Sequence, residues 1–233
     1  MLAVISGATK GIGRAVSIAF AEMGFDLALG ARNQEQLEEF KLYLENTFPK
    51  IKILSRATDF SIKDEVSEFT KAIKKKFGSV DVIINNVGIY ATGTISNEEE
   101  GLFEKQMQTN LYSAYYLTRP FLEEMKQKKK GHIFNICSIV SKNVRKDAAS
   151  YSISKYAMLG FSKVLAEEMR EYQIKVTAII PGAVNTSSWD GIDLPKEEFI
   201  QPKDIVDVII NAYQMSKSTL VEEIIIRPFN TNY

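Results

Sequence analysis

The stretch that decides the fold is LAVISGATKGIGRAVSIAFAEMG, Leu2 to Gly24. It opens on a short, continuous apolar run, the pattern of a strand covered on both faces. It closes on apolar residues at helical spacing that stop at Gly24, a good helix terminator. Between the two lies SGATKGIG, with Gly7, Gly11 and Gly13 in a G-x-x-x-G-x-G pattern. Glycines here let the chain turn tightly, approach a ligand and pack a helix on a strand. The helix start presents unpaired N–H groups and a positive dipole end, which suit a pyrophosphate. Thr9, Lys10 and Ile12 fill the remaining turn positions and are counted with the glycines as a candidate dinucleotide-binding set.

Outward from that unit the same alternation continues. Further short apolar runs begin at Asp26, Ile51, Val80, Gly131, Ile174 and Glu222. Helical stretches lie between them, one opening on Asn33 as an N-cap, another on Ser61 and closing at Gly78. Seven strand candidates alternating with helices predict an α/β protein: a doubly wound (Rossmann) parallel seven-stranded sheet with helices on both faces, as a single domain over 1–233. One long stretch, Asn185 to Pro202, lacks periodicity, and a loop of that length is expected to serve function as the substrate-binding segment. Trp189 and Phe199 within it are candidates to close over substrate.

Composition narrows the function. Lys+Arg and Asp+Glu are both 29, so no basic excess favours nucleic acid or anionic membrane surfaces. One cysteine, Cys137, and one histidine, His132, supply neither a disulfide nor a zinc cluster, so no metal is expected. Cys137 sits in an apolar run and reads as a core residue. No apolar stretch approaches a membrane span, and Met1 leads straight into LAVIS without a charged leader. A reduced, cytoplasmic protein is the expectation. The basic run Lys128 to Lys130 reads as a solvated helix end, with docking of an acidic partner as the other reading.

The second strand ends LGARN, where an adenosine ribose would lie. An acidic residue there would hold the 2′-hydroxyl of NAD. Ala31 and Arg32 stand there instead, and with Lys10 they predict NADP(H) in preference to NAD(H). Asp59, after the third strand, is a candidate for the adenine amino group or for a helix N-cap.

Two Tyr/Lys pairs occur at four-residue spacing: Tyr151 with Lys155, and Tyr213 with Lys217. Only the first has Ser138 thirteen positions before it. Together SGATKGIG, NNVG from Asn85 to Gly88, Asn110 in MQTNL, Ser138 in ICSIV, YSISK with Tyr151 and Lys155, and PGAVNT from Pro181 to Thr186 resemble the short-chain dehydrogenase/reductases. The resemblance spans nearly the whole chain. Val87 stands where alanine is usual, and Ser6 where threonine is commoner.

The resemblance implies a catalytic set of Asn110, Ser138, Tyr151 and Lys155. Lys155, one helical turn on, would lower the pKa of the Tyr151 phenol toward the range useful for acid–base work and hydrogen-bond the nicotinamide ribose. Ser138 would hold a carbonyl oxygen, and Asn110 a water leading to the lysine. Asn86, Gly88, Pro181, Gly182 and Thr186 would complete the cofactor set. The implied activity is NADP(H)-dependent interconversion of a small-molecule carbonyl and an alcohol. Alternatives are a 3-oxoacyl-carrier-protein reductase, a sepiapterin-type pteridine reductase and, from another class, a non-catalytic dinucleotide sensor. A homodimer or homotetramer joined through the helices of Gln108 to Met125 and Ser154 to Tyr172 is expected from fold resemblance.

Overall fold

Strand order in the computed structural model is β3-β2-β1-β4-β5-β6-β7, all parallel. The structure describes residues 1–187, 191 and 195–230. The strands are β1 Leu2–Ser6, β2 Asp26–Ala31, β3 Ile53–Ala57, β4 Val82–Asn85, β5 His132–Ile136, β6 Lys175–Pro181 and β7 Glu223–Ile226. The helices are α1 Gly11–Glu22, α2 Gln34–Thr47, α3 Lys63–Phe77, α4 Leu102–Met107, α5 Ser113–Lys128, α6 Ala149–Arg170 and α7 Pro202–Gln214. The doubly wound sheet expected from the strand–helix alternation is the observed fold.

Alternation along each central strand divides the core. Ala3 and Ile5 of β1 and Val82 and Ile84 of β4 face a cluster built with Phe20, Leu37, Leu44, Ile205 and Ile209 of α1, α2 and α7. Leu2, Val4 and Ile83 face the opposite cluster, with Phe69, Ile73, Phe121, Leu165 and Met169 of α3, α5 and α6. Strands apolar at every position are thereby buried twice, which is why they read as continuous runs. Each such Leu, Ile or Phe contributes about 1.5–3 kcal/mol through burial. Tyr213 belongs to the α7 side, edge-on to Phe20 and Phe25, and is thereby separated from the face carrying Tyr151.

Local chemistry sets the helix ends. Asn33 Oδ1 accepts from Gln36 N at 2.8 Å, the expected cap of α2. At α3 the expected cap moves: the chain enters at Ile62 without a side-chain cap, and Ser61 donates to Asp59 instead. Gly78 ends α3 at φ 76°, a conformation glycine adopts without strain. Lys128 pairs with Glu124 at 2.8 Å and Lys130 with Asp81 at 2.6 Å, so two of the three cations of the basic run are engaged.

The helix expected from Gln108 is not continuous. A π-turn over Gln108–Tyr112 joins α4 to α5 and carries Asn110. Single π-turns inside helices recur at functional sites. Beneath it a buried polar ladder crosses the sheet: Asn85 donates to Thr118 (2.9 Å) and Asn135 (2.8 Å), and Asn135 donates to Ser162 (3.0 Å).

Candidate active site

β1 pairs with β2 on one side and β4 on the other, so the winding reverses between β1 and β4. In such sheets ligands bind at the carboxyl ends of the strands, where the chain connections diverge. A cleft of about 780 Å³ lies along that edge, bounded by the glycine turn, Arg32, Ser138, Tyr151 and Gly182. Of the expected site residues, all line it except Gly13 and Asn110.

The turn is built for close approach. Gly7 has φ 68° and Gly11 φ 50°, both in the left-handed region. The N–H groups of Gly7 and Ala8 both donate to Gly30 O, at 2.8 and 3.2 Å, which fixes the turn over β2. Asn86 Nδ2 donates to Ser6 O (3.0 Å) and Gly7 O (3.2 Å), tying β4 to the turn. Gly13 supports from behind: a Cβ there would lie 2.1 Å from Gly7 O. It packs the helix on the turn instead of touching the cleft. A Cβ on Gly11 would meet Thr186 Cγ2 at 2.9 Å, so the turn and the segment after β6 touch. The start of α1 has no side-chain cap, leaving its first N–H groups for an anion.

At the end of the cleft beside β2, Arg32 and Lys10 are exposed, with Asn33 and Gln36 beside them. Among the described residues Asp59 is the only acidic one lining the cleft. Its Oδ1 accepts from Ser61 N (2.9 Å) and Ser61 Oγ (2.7 Å), so the turn before α3 already occupies it.

At the other end α6 carries Tyr151 and Lys155 on one face. Lys155 Nζ is buried, donates to Ile136 O at 2.9 Å and lies 6.0 Å from the centroid of the Tyr151 ring. Burial raises the Tyr151 phenol above its ordinary value, and a hydrogen bond with Ser138 opposes that. Burial likewise lowers the Lys155 ammonium. In the chain alone the ammonium is drawn to a backbone carbonyl, and burial works against the expected lowering of the phenol. Ser138 Oγ also accepts from Val140 N at 3.4 Å, capping a single 3-10 turn over Ile139–Ser141.

Asn110 sits behind this end. Its amide donates to Ile89 O (3.0 Å) and Ser154 Oγ (2.9 Å), and its Oδ1 accepts from Ile89 N (2.7 Å). It clamps the segment after β4 to α6. A Cβ on Gly88 would lie 3.3 Å from Lys155 Nζ and 3.4 Å from Asn110 Oδ1, so glycine keeps that corner open. Cys137 is buried and pushed up to about 11 by burial, as a core thiol is.

Several participants were not legible in the sequence. Tyr90 packs edge-on against Tyr151 with centroids 4.9 Å apart. Glu98 accepts from Ser150 Oγ at 2.5 Å in the first turn of α6. Arg227 and Pro228, at the end of the run that begins at Glu222, line the cleft. Phe199 is buried beside a bridge between Val184 and Ile200. Trp189 lies outside the described residues. Among the described residues no His/Cys/Asp/Glu cluster suits a metal, and no helix is long and apolar enough to cross a membrane.

Residues 1–196 match the family described as short chain dehydrogenase. A sepiapterin reductase of Chlorobaculum tepidum is 31% identical over 233 residues, covering 97% of this chain and 95% of its own. An alcohol dehydrogenase of the archaeon Thermococcus sibiricus, solved with 5-hydroxy-NADP, superposes with a TM-score of 0.91 at 28% identity, covering 100% of this chain and 99% of that one. A metagenomic short-chain oxidoreductase solved with NADP gives a TM-score of 0.85 at 28% identity, covering 99% and 98%.

Proposed function

The chain belongs to the short-chain dehydrogenases, an oxidoreductase family, and we propose that it is an NADPH-dependent reductase of small carbonyl compounds. The observation that carries this reading is the convergence of Ser138, Tyr151 and Lys155 at one end of a cleft whose other end is a glycine turn. The residues fit a dinucleotide: the turn offers uncapped helix N–H groups and a floor without side chains. Arg32 and Lys10, with no acid at the end of β2, favour the 2′-phosphate form. The NADP-bound relatives support the same cofactor.

When bound, the reduced nicotinamide supplies a hydride for the carbonyl carbon. The chain supplies the rest. Ser138 Oγ donates to the carbonyl oxygen and holds it beside Tyr151. The Tyr151 phenol, kept protonated by its burial, is in the state needed to give its proton to that oxygen. The Lys155 ammonium stabilises the phenolate left behind. The corner beside Gly88, bounded by Lys155 Nζ and Asn110 Oδ1, has polar atoms to hold a water that returns the proton. Thr186 and Ser187 line the cleft at the start of the 185–202 segment, and a buried, free Cys137 fits a cytoplasmic setting.

A second copy of the chain is the proposed partner. Tyr112, Tyr115, Ile153, Tyr156 and Val164 are exposed on the π-turn, α5 and α6. The pairing of these helices rests on this apolar face and on likeness of fold.

The test is Tyr151→Phe, assayed by NADPH absorbance on a panel of aldehydes and ketones with NADH in parallel. Turnover is expected to fall by about 10²-fold or more, with NADPH binding retained. Retained turnover removes Tyr151 from its role.

A further inference from the structure

Arg227 and Pro228, just after β7, are part of the cleft. Gly182 N donates to Ile226 O at 2.8 Å, and Pro228 Cδ occupies the space a Gly182 side chain would take, 2.9 Å from the ideal Cβ. Beyond it Asn230 Nδ2 donates to Glu198 Oε2 at 2.8 Å, so the tail spans from β7 to the segment before α7. Arg227 lies between these anchors and lines the cleft.

The strand register sets its distance from the chemistry. Ile136 pairs with Ile179 across β5 and β6, and Pro181 pairs with Ile226 across β6 and β7. Continued past the strand ends, the same register puts Ser138 level with Pro181 and Ile226, and Arg227 one residue further. Two interstrand spacings separate Ser138 from Arg227, about 10 Å between backbones. An arginine side chain bridges much of that span.

Among the described residues, the charges lining the cleft are Lys10, Arg32, Arg145, Lys155 and Arg227 against Asp59. Lys10 and Arg32 lie at the end beside β2. Lys155 is turned to Ile136 O. Arg145 is held by Asp147 through two bonds, Nε to Oδ1 at 3.2 Å and Nη2 to Oδ2 at 2.7 Å. Arg227 is exposed and makes no ion pair among the described residues. A guanidinium unengaged beside a carbonyl-reducing centre matches a carboxylate in geometry and charge.

We propose that Arg227 binds a carboxylate carried by the substrate a few bonds from its reacting carbonyl, so that the preferred substrates are oxo acids. This rests on the reductase reading and names its substrate class. The guanidinium orients the chain of the oxo acid along the tail, with its carbonyl at Ser138 and Tyr151. The tail thereby selects substrate without taking part in proton or hydride transfer.

The experiment compares succinic semialdehyde with butanal, and glyceraldehyde 3-phosphate with glyceraldehyde, for the wild type and Arg227→Gln with NADPH. The wild type is expected to prefer succinic semialdehyde, and the kcat/KM ratio over butanal to fall about 10- to 100-fold in Arg227→Gln, mainly through KM. Calorimetric titration of the NADPH-loaded protein with succinate gives a readout without turnover, and the variant should bind it about 10-fold or more weakly. Equal discrimination, or equal succinate binding, in the two proteins overturns the assignment while leaving the reductase reading intact. A preference for the phosphate pair alone also overturns it. Failure of every carbonyl, with succinate still lost in the variant, refutes the reductase reading and keeps the carboxylate site.

Discussion

Gly13→Ala isolates the close approach on which the dinucleotide turn depends. Gly13 is helical and its φ is not positive, so alanine carries no backbone strain there and would ordinarily favour the helix. The cost comes from space. The added Cβ would lie 2.1 Å from Gly7 O, 2.6 Å from Asn86 Nδ2 and 2.9 Å from Gly7 C. Optimal non-bonded separation is about 3.5 Å, so turn and helix must part by more than an ångström. Two of the three atoms are backbone and have no rotamer to escape into. Parting them breaks the Asn86 bonds to Ser6 O and Gly7 O. Overpacking of this kind costs about 1–3 kcal/mol and each lost hydrogen bond about 1 kcal/mol, for a total of about 2–4 kcal/mol after partial relaxation. For a chain of this size that lowers Tm by about 5–15 °C. Thermal unfolding followed by circular dichroism measures the loss, and fluorescence titration with NADPH measures the turn. Affinity should fall with stability, because the same displacement moves the N–H groups that face the anion. A variant melting within about 2 °C of the wild type, with unchanged NADPH affinity, would refute the packing role of Gly13.

His132, the sole histidine, should make stability fall on the acid side. Burial lowers its pKa to about 3, and its Nε2 faces Thr177 Oγ1 at 2.8 Å while that hydroxyl donates to Val221 O. The unfolded chain takes up the proton near pH 6.5 and the folded chain does not, so the contribution is complete above 6.5 and lost as pH falls toward 3. At pH 5 the loss is about 2 kcal/mol. Urea unfolding of the wild type and His132→Gln at pH 7.5 and 5 should show a smaller acid loss in the variant, and parallel losses would rule the mechanism out. Arg32→Asp should lower the ratio of NADPH to NADH affinity by about 10-fold or more, read by fluorescence titration of both cofactors; an unmoved ratio puts the 2′-phosphate elsewhere. Val164→Asp places a charge on the exposed face of α6 and should yield monomers by light scattering; an unchanged assembly, or a monomeric wild type, ends that interface.

The sequence by itself determined the strand–helix alternation, because strands buried on both faces are apolar throughout and helices show their own period. It also carried the glycine turn, whose backbone need is written in residue type, and the Ser138, Tyr151 and Lys155 set, whose spacing follows from one strand end and one helical turn. Tertiary structure decided what depends on which distant segments meet. Lys155 turns to Ile136 O, and burial raises the Tyr151 phenol in the chain alone. Asn110 is aimed by a π-turn, a hydrogen-bond defect that local pattern does not encode. Only the packing of α6 brings Ser150 to Glu98, and only the pairing of β6 with β7 brings Arg227 to the cleft. Periodicity records which face of an element is buried, while an isolated polar residue carries no record of the partner that folding will bring to it.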